Sequence, residues 1–567
     1  MSADESRIAV LCGDGESGQQ SLLVASISAD GRDVRHDDYR TVPLPCEPES
    51  LVSAVEWFDN DTLIVAHSSS AEPLFATTVT AVSLDNGATL PLFAETASDR
   101  AVDVFRTQDD RHIVIRSESH LNTEFRSLSL AARLGADPLV VFPREFDSIA
   151  HLRHEHGRFW ILHDVGRLRN RHVRIDAIAD DALDWSARTP VLHDLPGHTV
   201  GNLSVHAQHL LLFTRSERSG LAGLMALKNF VDLQPIDGIS PLALDVFSNY
   251  PHPTRAPTVP IHVRDPCTTR THSLELSSLT LSPVAADNSW WSRTLEQMVI
   301  EHHLVPSRSA SLEPIEVPMI TLRGKNTPLD GTATCVQYVY GAYGDSWPFA
   351  LEEVELQQII EAGVVVALCA VRGGGEKGDQ WHAAGRGDNK YNSFRDTVAC
   401  GDFLLANGYA AHDALCVFGH SAGAFTAMGA VDARPTMYAV VICTRPFVDA
   451  AADDSSLRSL DEHLWGSFSP TASLPALLEQ HGSRFPSMFF YGSLTDPNAP
   501  FEPAMTLALR LTAIAASLHD NFDQSPLIFV PVRDLVQSAH MPPLPDLKAR
   551  IFAFCSSEVQ RRRNGRR

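Results

Sequence analysis

The sequence predicts two unlike parts: an N-terminal all-β propeller, then a C-terminal α/β domain with a doubly wound, mostly parallel sheet. Three observations predict this. Short apolar strands separated by polar turns fill the first half. They recur in pairs at a pitch of about 50 residues, close to the length of a propeller blade. After about residue 290, strands begin to alternate with helix-period stretches, the rhythm of βαβ units.

In the first half, RIAVLC (7–12), SLLVASIS (21–28), TLIVAHS (62–68), HIVIRS (112–117), RFWILHD (158–164) and HLLLFTRS (209–216) read as strands. Strand–turn–strand units recur as VEWFDNDTLIVAHS, VFRTQDDRHIVIRS, LRHEHGRFWILHD and LSVHAQHLLLFTRS, with turns near Asn60, Asp110, Gly157 and Gln208. One four-stranded blade cannot bury both of its faces, so blades stacked around an axis satisfy the pattern. A β-sandwich or two small β domains would carry similar strands, and the repeat does not fix the number of blades. The propeller is expected over residues 1–285 and the α/β domain over 286–567.

In the second half, VVVALCAV (364–371), LCVF (415–418), AVVIC (439–443), SMFFY (487–491) and PLIFV (526–530) read as buried parallel strands. A helix capped by Ser393 is expected, with Phe394, Val398, Gly401 and Leu405 on one face and Gly408 ending it. Residues 501–518 are expected to be helical. Sheets of this kind bind ligands beyond the carboxyl ends of their strands.

Composition bounds the function. The chain has 567 residues, 44% hydrophobic and 20% charged, with a formal charge of −23. That charge argues against non-specific nucleic-acid binding, which needs a basic footprint. The nine cysteines form no C-x-x-C pair, so zinc-finger and thioredoxin chemistry have no support. Several sit in apolar runs, as Cys369 and Cys443 do, and read as buried thiols of a reducing compartment. The acidic N-terminus has no signal-peptide core, and no apolar run is long enough to span a bilayer. A cytoplasmic protein with no membrane partner is expected. The arginines at 561–563 and 566–567 are expected to be a frayed, solvated tail.

The sharpest motif is Gly419-His420-Ser421-Ala422-Gly423, between LCVF and AFTAMGAV. G-x-S-x-G between a buried strand and a helix is the nucleophile elbow of α/β-hydrolases, which holds the serine above the strand ends. In that fold an acid and then a histidine follow the serine in chain order. Asp496, just past SMFFY, and His540, after the last strand, meet those positions. Asp449 is the competing acid. His420, His463, His481 and His519 fit the base position less well.

Further residues match together around this elbow. Tyr340-Gly341-Ala342-Tyr343-Gly344 follows a strand-like CVQYV, and Arg372-Gly373-Gly374-Gly375-Glu376-Lys377-Gly378 follows VVVALCAV. Trp381, His382, Gly385, Lys390, Asn392, Phe394 and Asp396 continue the pattern. Over residues 300–545 the chain resembles the catalytic domain of the prolyl oligopeptidase family, especially its oligopeptidase B branch.

The resemblance implies a serine-type oligopeptidase acting on short peptides through Ser421, Asp496 and His540. The Tyr340 hydroxyl and the Ala422 N–H would form the oxyanion hole, with the propeller as a size filter. It implies no metal or organic cofactor. Acidic Asp461 and Glu462 stand where the branch binds a basic side chain, which leaves cleavage after Arg or Lys and cleavage after Pro both open. Arg372–Glu376 reads as a structural loop whose glycines permit close packing.

The chain departs from the family in four ways. The chain opens almost directly in β-rhythm, so the family's N-terminal segment is expected to be missing and the propeller half to be short. Ala424 follows Gly423 where a second glycine is frequent, and no arginine follows Asp496 in DPNAPFEPA. An esterase on the same triad and a propeller binding protein with an inactive hydrolase domain are the rival readings.

Overall fold

A computed structural model describes residues 7–564 apart from 14–19, 28–33, 43, 47–49, 69–75, 120–121, 145–147, 164–173, 207, 241, 249–256, 267–268, 285–295, 309–313, 349–350, 352, 449–467, 494–500, 519–527 and 533–544. Six antiparallel sheets precede one eight-stranded mixed sheet. Blade I pairs Arg7–Gly13, Gln20–Ile27 and Val34–Val42. Blades II to VI have four strands each and open at Val52–Trp57, Ala101–Arg106, His151–Glu155, His198–His206 and Asp245–Phe247. Each strand–turn–strand repeat falls on the first two strands of one blade.

The second strand of a blade explains why the sequence reads as continuous apolar runs. It is covered on both sides, so alternate residues enter different cores. In Thr62–His67, Leu63 and Val65 pack towards blade I while Ile64 and Ala66 pack towards blade III. Ile113 and Ile115 face blade II and Val114 faces blade IV. Leu210 and Leu212 face blade IV, and Leu211 and Phe213 face blade VI. The propeller core is therefore a series of apolar seams between neighbouring blades.

Numbered along the chain, the strands of the mixed sheet are β1 Met298–Arg308, β2 Pro314–Gly324, β3 Cys335–Val339, β4 Val365–Cys369, β5 Leu415–His420, β6 Val440–Thr444, β7 Ser487–Ser493 and β8 Ile528–Val532. Their spatial order is β1-β2-β4-β3-β5-β6-β7-β8. The first two junctions are antiparallel and the rest parallel. Strands β3 to β6 are buried along nearly their whole length, as a sheet covered by helices on both faces requires. Among the described residues no helix is long and apolar enough to cross a membrane.

Two expectations are corrected. Ser393 does not cap its helix, which runs Tyr391–Ala406. Its hydroxyl instead donates to the carbonyl of Arg372 (2.6 Å) and so ties the glycine loop down. The arginines at 561–563 belong to a helix, Pro545–Asn564, and are docked rather than frayed. Arg562 donates to the Phe485 carbonyl (2.9 Å), and Arg563 donates to those of Thr332 and Gly331 (2.8 and 3.1 Å). Carbonyls beside the sheet supply acceptors that a solvated tail would leave to water.

The propeller meets the α/β domain through a few buried groups. Trp347 is fully buried and its indole N–H donates to the Gly220 carbonyl (3.0 Å). His302 Nε2 lies 3.0 Å from the Ser219 carbonyl, and Arg264 donates to the Trp347 carbonyl (3.1 Å). Beside Gly220, the Glu376 carboxyl accepts the Trp347 N–H (2.8 Å) while its second oxygen is buried without a hydrogen-bond partner. Burial pushes this carboxyl up to about 7, against the opposing pull of the Trp347 N–H and the Arg215 charge.

Because folding raises the Glu376 carboxyl above its ordinary range, its contribution is complete at acid pH. It is lost as the pH rises from the ordinary carboxyl range through about 7, on the order of 3 kcal/mol in all. Glu376→Gln should flatten the fall in denaturant-measured stability between about pH 5 and 8, and a slope unchanged from wild type would contradict this.

Asp396 is the second stability test. Its carboxylate takes two hydrogen bonds from the Arg372 guanidinium (2.6 and 2.7 Å), and both side chains are at most 3% exposed. Asp396→Ala strands a buried cation and should cost about 3–5 kcal/mol in chemical denaturation.

Candidate active site

Strand β5 ends at His420 and the next helix begins at Ala422, so Ser421 alone makes the turn. Its backbone is at φ 52° and ψ −122°, a conformation that costs a non-glycine residue about 1–3 kcal/mol. Two glycines make the turn possible. A Cβ on Gly419 would come within 2.2 Å of the Gly423 carbonyl oxygen, and one on Gly423 within 2.5 Å of that of Val339. The strand, the helix and the end of β3 therefore approach more closely than any side chain allows.

Hydrogen bonds to neighbouring strand ends fix the turn. The Ser421 N–H donates to the Thr444 carbonyl (2.9 Å), and the Phe447 N–H donates to the Ser421 carbonyl (3.2 Å). His420 Nδ1 lies 3.0 Å from the Thr444 hydroxyl, so this ring is engaged towards β6. Thr444 carried no signal in the sequence because only the parallel pairing of β5 with β6 brings it here.

Tyr340 follows β3, and its ring stands beside the elbow, 3.2 Å from where a Gly423 Cβ would be. The Thr426 hydroxyl donates to its backbone carbonyl (2.8 Å), which ties it to the elbow helix. Burial, with the nearby Asp345 charge, pushes the phenol well above its ordinary range, so it remains a hydrogen-bond donor. Ala422 opens the helix, where the first N–H groups have no acceptor of their own. A tyrosine ring and a helix N-terminus thus lie at the turn that carries the strained serine, an arrangement suited to stabilising an oxyanion.

The glycine loop supports Tyr340 from behind. A Cβ on Gly373 would meet the Gly341 carbonyl oxygen at 2.1 Å, and one on Gly375 that of Gly344 at 1.9 Å. Lys390 donates to the Gly341 carbonyl (2.6 Å), and burial lowers its ammonium to about 7. Under the elbow, Phe468 packs edge to face on Phe394 and Phe425 at centroid distances of 5.2 Å, and those two rings lie tilted at 5.9 Å. A cavity of about 370 Å³ runs along the inner strands of the propeller, lined by Gln108, Arg153, Asn202, Arg215 and Asp245, and reaches Ser346 of the α/β domain.

Of the residues singled out from sequence, Ser421, Ala422 and Tyr340 meet at this elbow. Asp496, His540, the competing Asp449, and Asp461 and Glu462 lie outside the described residues.

Comparison with known proteins agrees with this geometry. Residues 351–524 match the model of the prolyl oligopeptidase family. Dipeptidyl aminopeptidase BI of Pseudoxanthomonas mexicana is 33% identical over 230 residues, 37% of this chain and 30% of that protein. A prolyl endopeptidase-like protein of Xenopus laevis is 26% identical over 367 residues, 64% of this chain and 50% of that one. The chain thus spans about half or less of the length of the curated relatives it matches.

Among solved structures, oligopeptidase B of Leishmania major superposes with a TM-score of 0.73 at 17% identity, covering 98% of this chain and 76% of its own. Prolyl oligopeptidase B of Galerina marginata gives 0.76 at 14%, covering 99% and 79%. At those identities the superpositions establish the fold, a propeller joined to an α/β-hydrolase domain. The sequence match falls on the segment that holds the elbow and the glycine loop, so it is in its hydrolase domain that this chain is similar to the prolyl oligopeptidase family.

Proposed function

We propose that this protein is a serine oligopeptidase that cleaves short peptides through an acyl-enzyme, with Ser421, Asp496 and His540 as its triad. The observation that carries the reading is the strained Ser421 turn with the Tyr340 phenol against it. Ser421 attacks the scissile carbonyl while His540 takes its proton and passes it to the leaving amine. Asp496 holds the imidazole tautomer and steadies the imidazolium. Water then enters by the same general-base route and releases the acyl group. Tyr340 and the Ala422 N–H receive the oxyanion in both steps.

The propeller (1–285) acts as the filter for the hydrolase domain (286–567), and the polar cavity on its inner strands supports passage of peptide backbone rather than lipid chains. Asp461 and Glu462 would receive a basic side chain before the scissile bond. Six buried free cysteines in the hydrolase domain, among them Cys335, Cys400 and Cys555, suit a cytoplasmic setting.

Ser421→Ala should abolish peptide hydrolysis and fluorophosphonate labelling while leaving the melting midpoint near wild type. Turnover retained in that variant would refute the nucleophile, and a wild-type chain that takes no label would favour a binding protein. Faster cleavage of simple esters than of arginyl or prolyl peptides would favour an esterase.

Tyr340→Phe removes one oxyanion donor and should lower kcat by about 100- to 1,000-fold with little change in KM. A kcat within threefold of wild type, on the order of 0.6 kcal/mol, would assign the tyrosine to packing.

A further inference from the structure

Away from the hydrolase elbow, blades III and IV bring two histidines and an aspartate together. His112 opens the second strand of blade III, His154 lies in the first strand of blade IV, and Asp180 follows that blade's third strand. One donor atom from each lies within 4.8 Å of the other two. The Asp180 carboxylate oxygen is 3.5 Å from His154 Nε2 and 3.9 Å from His112 Nε2. A tetrahedral ion with bonds of about 2.0–2.1 Å holds its donors about 3.4 Å apart, so modest inward movement completes such a site.

The outer groups set the histidines for this use. His154 Nδ1 is 2.8 Å from the Asp109 carboxylate, which orients the ring so that Nε2 is the nitrogen turned towards Asp180. That Nε2 belongs to a side chain with no exposed surface and has no hydrogen-bond partner. It lies 3.5 Å from an Asp180 carboxylate oxygen. His112 Nδ1 is 2.9 Å from the Ser127 hydroxyl. Carboxylate and hydroxyl partners on the far nitrogens are the usual support of metal-binding imidazoles.

The surroundings fit a divalent cation. Asp180 and Asp109 together balance two positive charges, and Phe159 packs against both rings at 4.4 and 5.0 Å. Asp180 is one-quarter exposed and gives a route in. Arg111, at 3.5 Å from Asp180, is largely exposed.

We propose that His112, His154 and Asp180 form a structural site for a borderline divalent metal, Zn²⁺ above Mg²⁺ or Ca²⁺, that staples blade III to blade IV. The nitrogen-rich donor set selects the metal. The site lies at the turn end of the blades. In blade V the corresponding turn follows His206, at the far end of a strand from Thr199, which packs on Gly378 of the hydrolase domain. Metal binding here is therefore separable from catalysis.

The test uses the full chain stripped with EDTA. Zn²⁺ titration by calorimetry should give about one equivalent per chain and raise the melting midpoint, and Co²⁺ should give the visible bands of a low-coordinate N/O site. Asp109→Asn should weaken Zn²⁺ by about 10- to 100-fold, and Asp180→Asn by more. His112→Ala should remove the Co²⁺ bands. Absence of stoichiometric binding and of any melting shift in the wild-type chain would overturn the proposal. So would binding that persists undiminished in both Asp180→Asn and His112→Ala, since the metal would then sit elsewhere. The wild-type measurement decides the matter even if a variant fails to fold.

Discussion

The hydrolase domain depends on a backbone approach that only glycine permits. Gly419 and Gly423 let β5, the elbow helix and the end of β3 come closer than a methyl group would allow. This contact forces Ser421 into its strained conformation, and the sheet bears the cost. The bond from Ser421 to Thr444 is a consequence of β5 and β6 running parallel and in register. The strain is local, but the constraint that maintains it is the whole buried sheet. An isolated strand–turn–helix would relax.

The same device recurs one layer out. Gly373 and Gly375 press the glycine loop onto the carbonyls of the tyrosine loop, and Gly374 leaves room for the Glu376 carboxyl. Glycine makes close packing possible but does not direct it. Direction comes from Asp396, which receives the Arg372 guanidinium and backbone N–H together with the Ser307 hydroxyl. From there the path runs through Glu376 and Trp347 to Gly220 of the propeller. Tyr340 is thus placed by a chain of contacts that joins the two domains, and a change at the interface is mechanically connected to its phenol.

What the sequence disclosed follows from the range of the interactions involved. The blades were readable because their second strands are buried on two faces, which writes an unbroken apolar run every 47 to 50 residues from one first strand to the next. The elbow was readable because its chemistry is local, with five consecutive residues defining it. The antiparallel pair β1–β2 was not foreseen. Its first strand is mostly half-buried and carries Glu301, His302 and His303 in succession, so no clean period marks it. The docked arginines near the C-terminus were misread for a related reason. A basic run looks solvated until tertiary structure supplies acceptors for it. Thr444 and the histidine–aspartate cluster are tertiary in the same sense, since their members meet only across strands or blades.

That last case bears on how the propeller keeps its order. Apolar seams between twisted sheets are non-directional, so they hold blades together without fixing how far one slides against the next. Each described seam after blade II also carries a polar clamp from one blade to its neighbour. Arg106 donates to the Trp57 carbonyl (2.8 Å) between blades II and III, Arg153 reaches Asn202 (3.1 Å) between IV and V, and Arg215 reaches Asp245 (3.2 Å) between V and VI. Between III and IV the clamp is His154 on Asp109. At this seam the arginine cation stands at the rim, where largely exposed Arg111 of blade III lies 3.5 Å from the Asp180 carboxylate of blade IV, while the buried contact is an imidazole. A metal ion held by His112, His154 and Asp180 would carry positive charge from that exposed rim into the buried part of the seam.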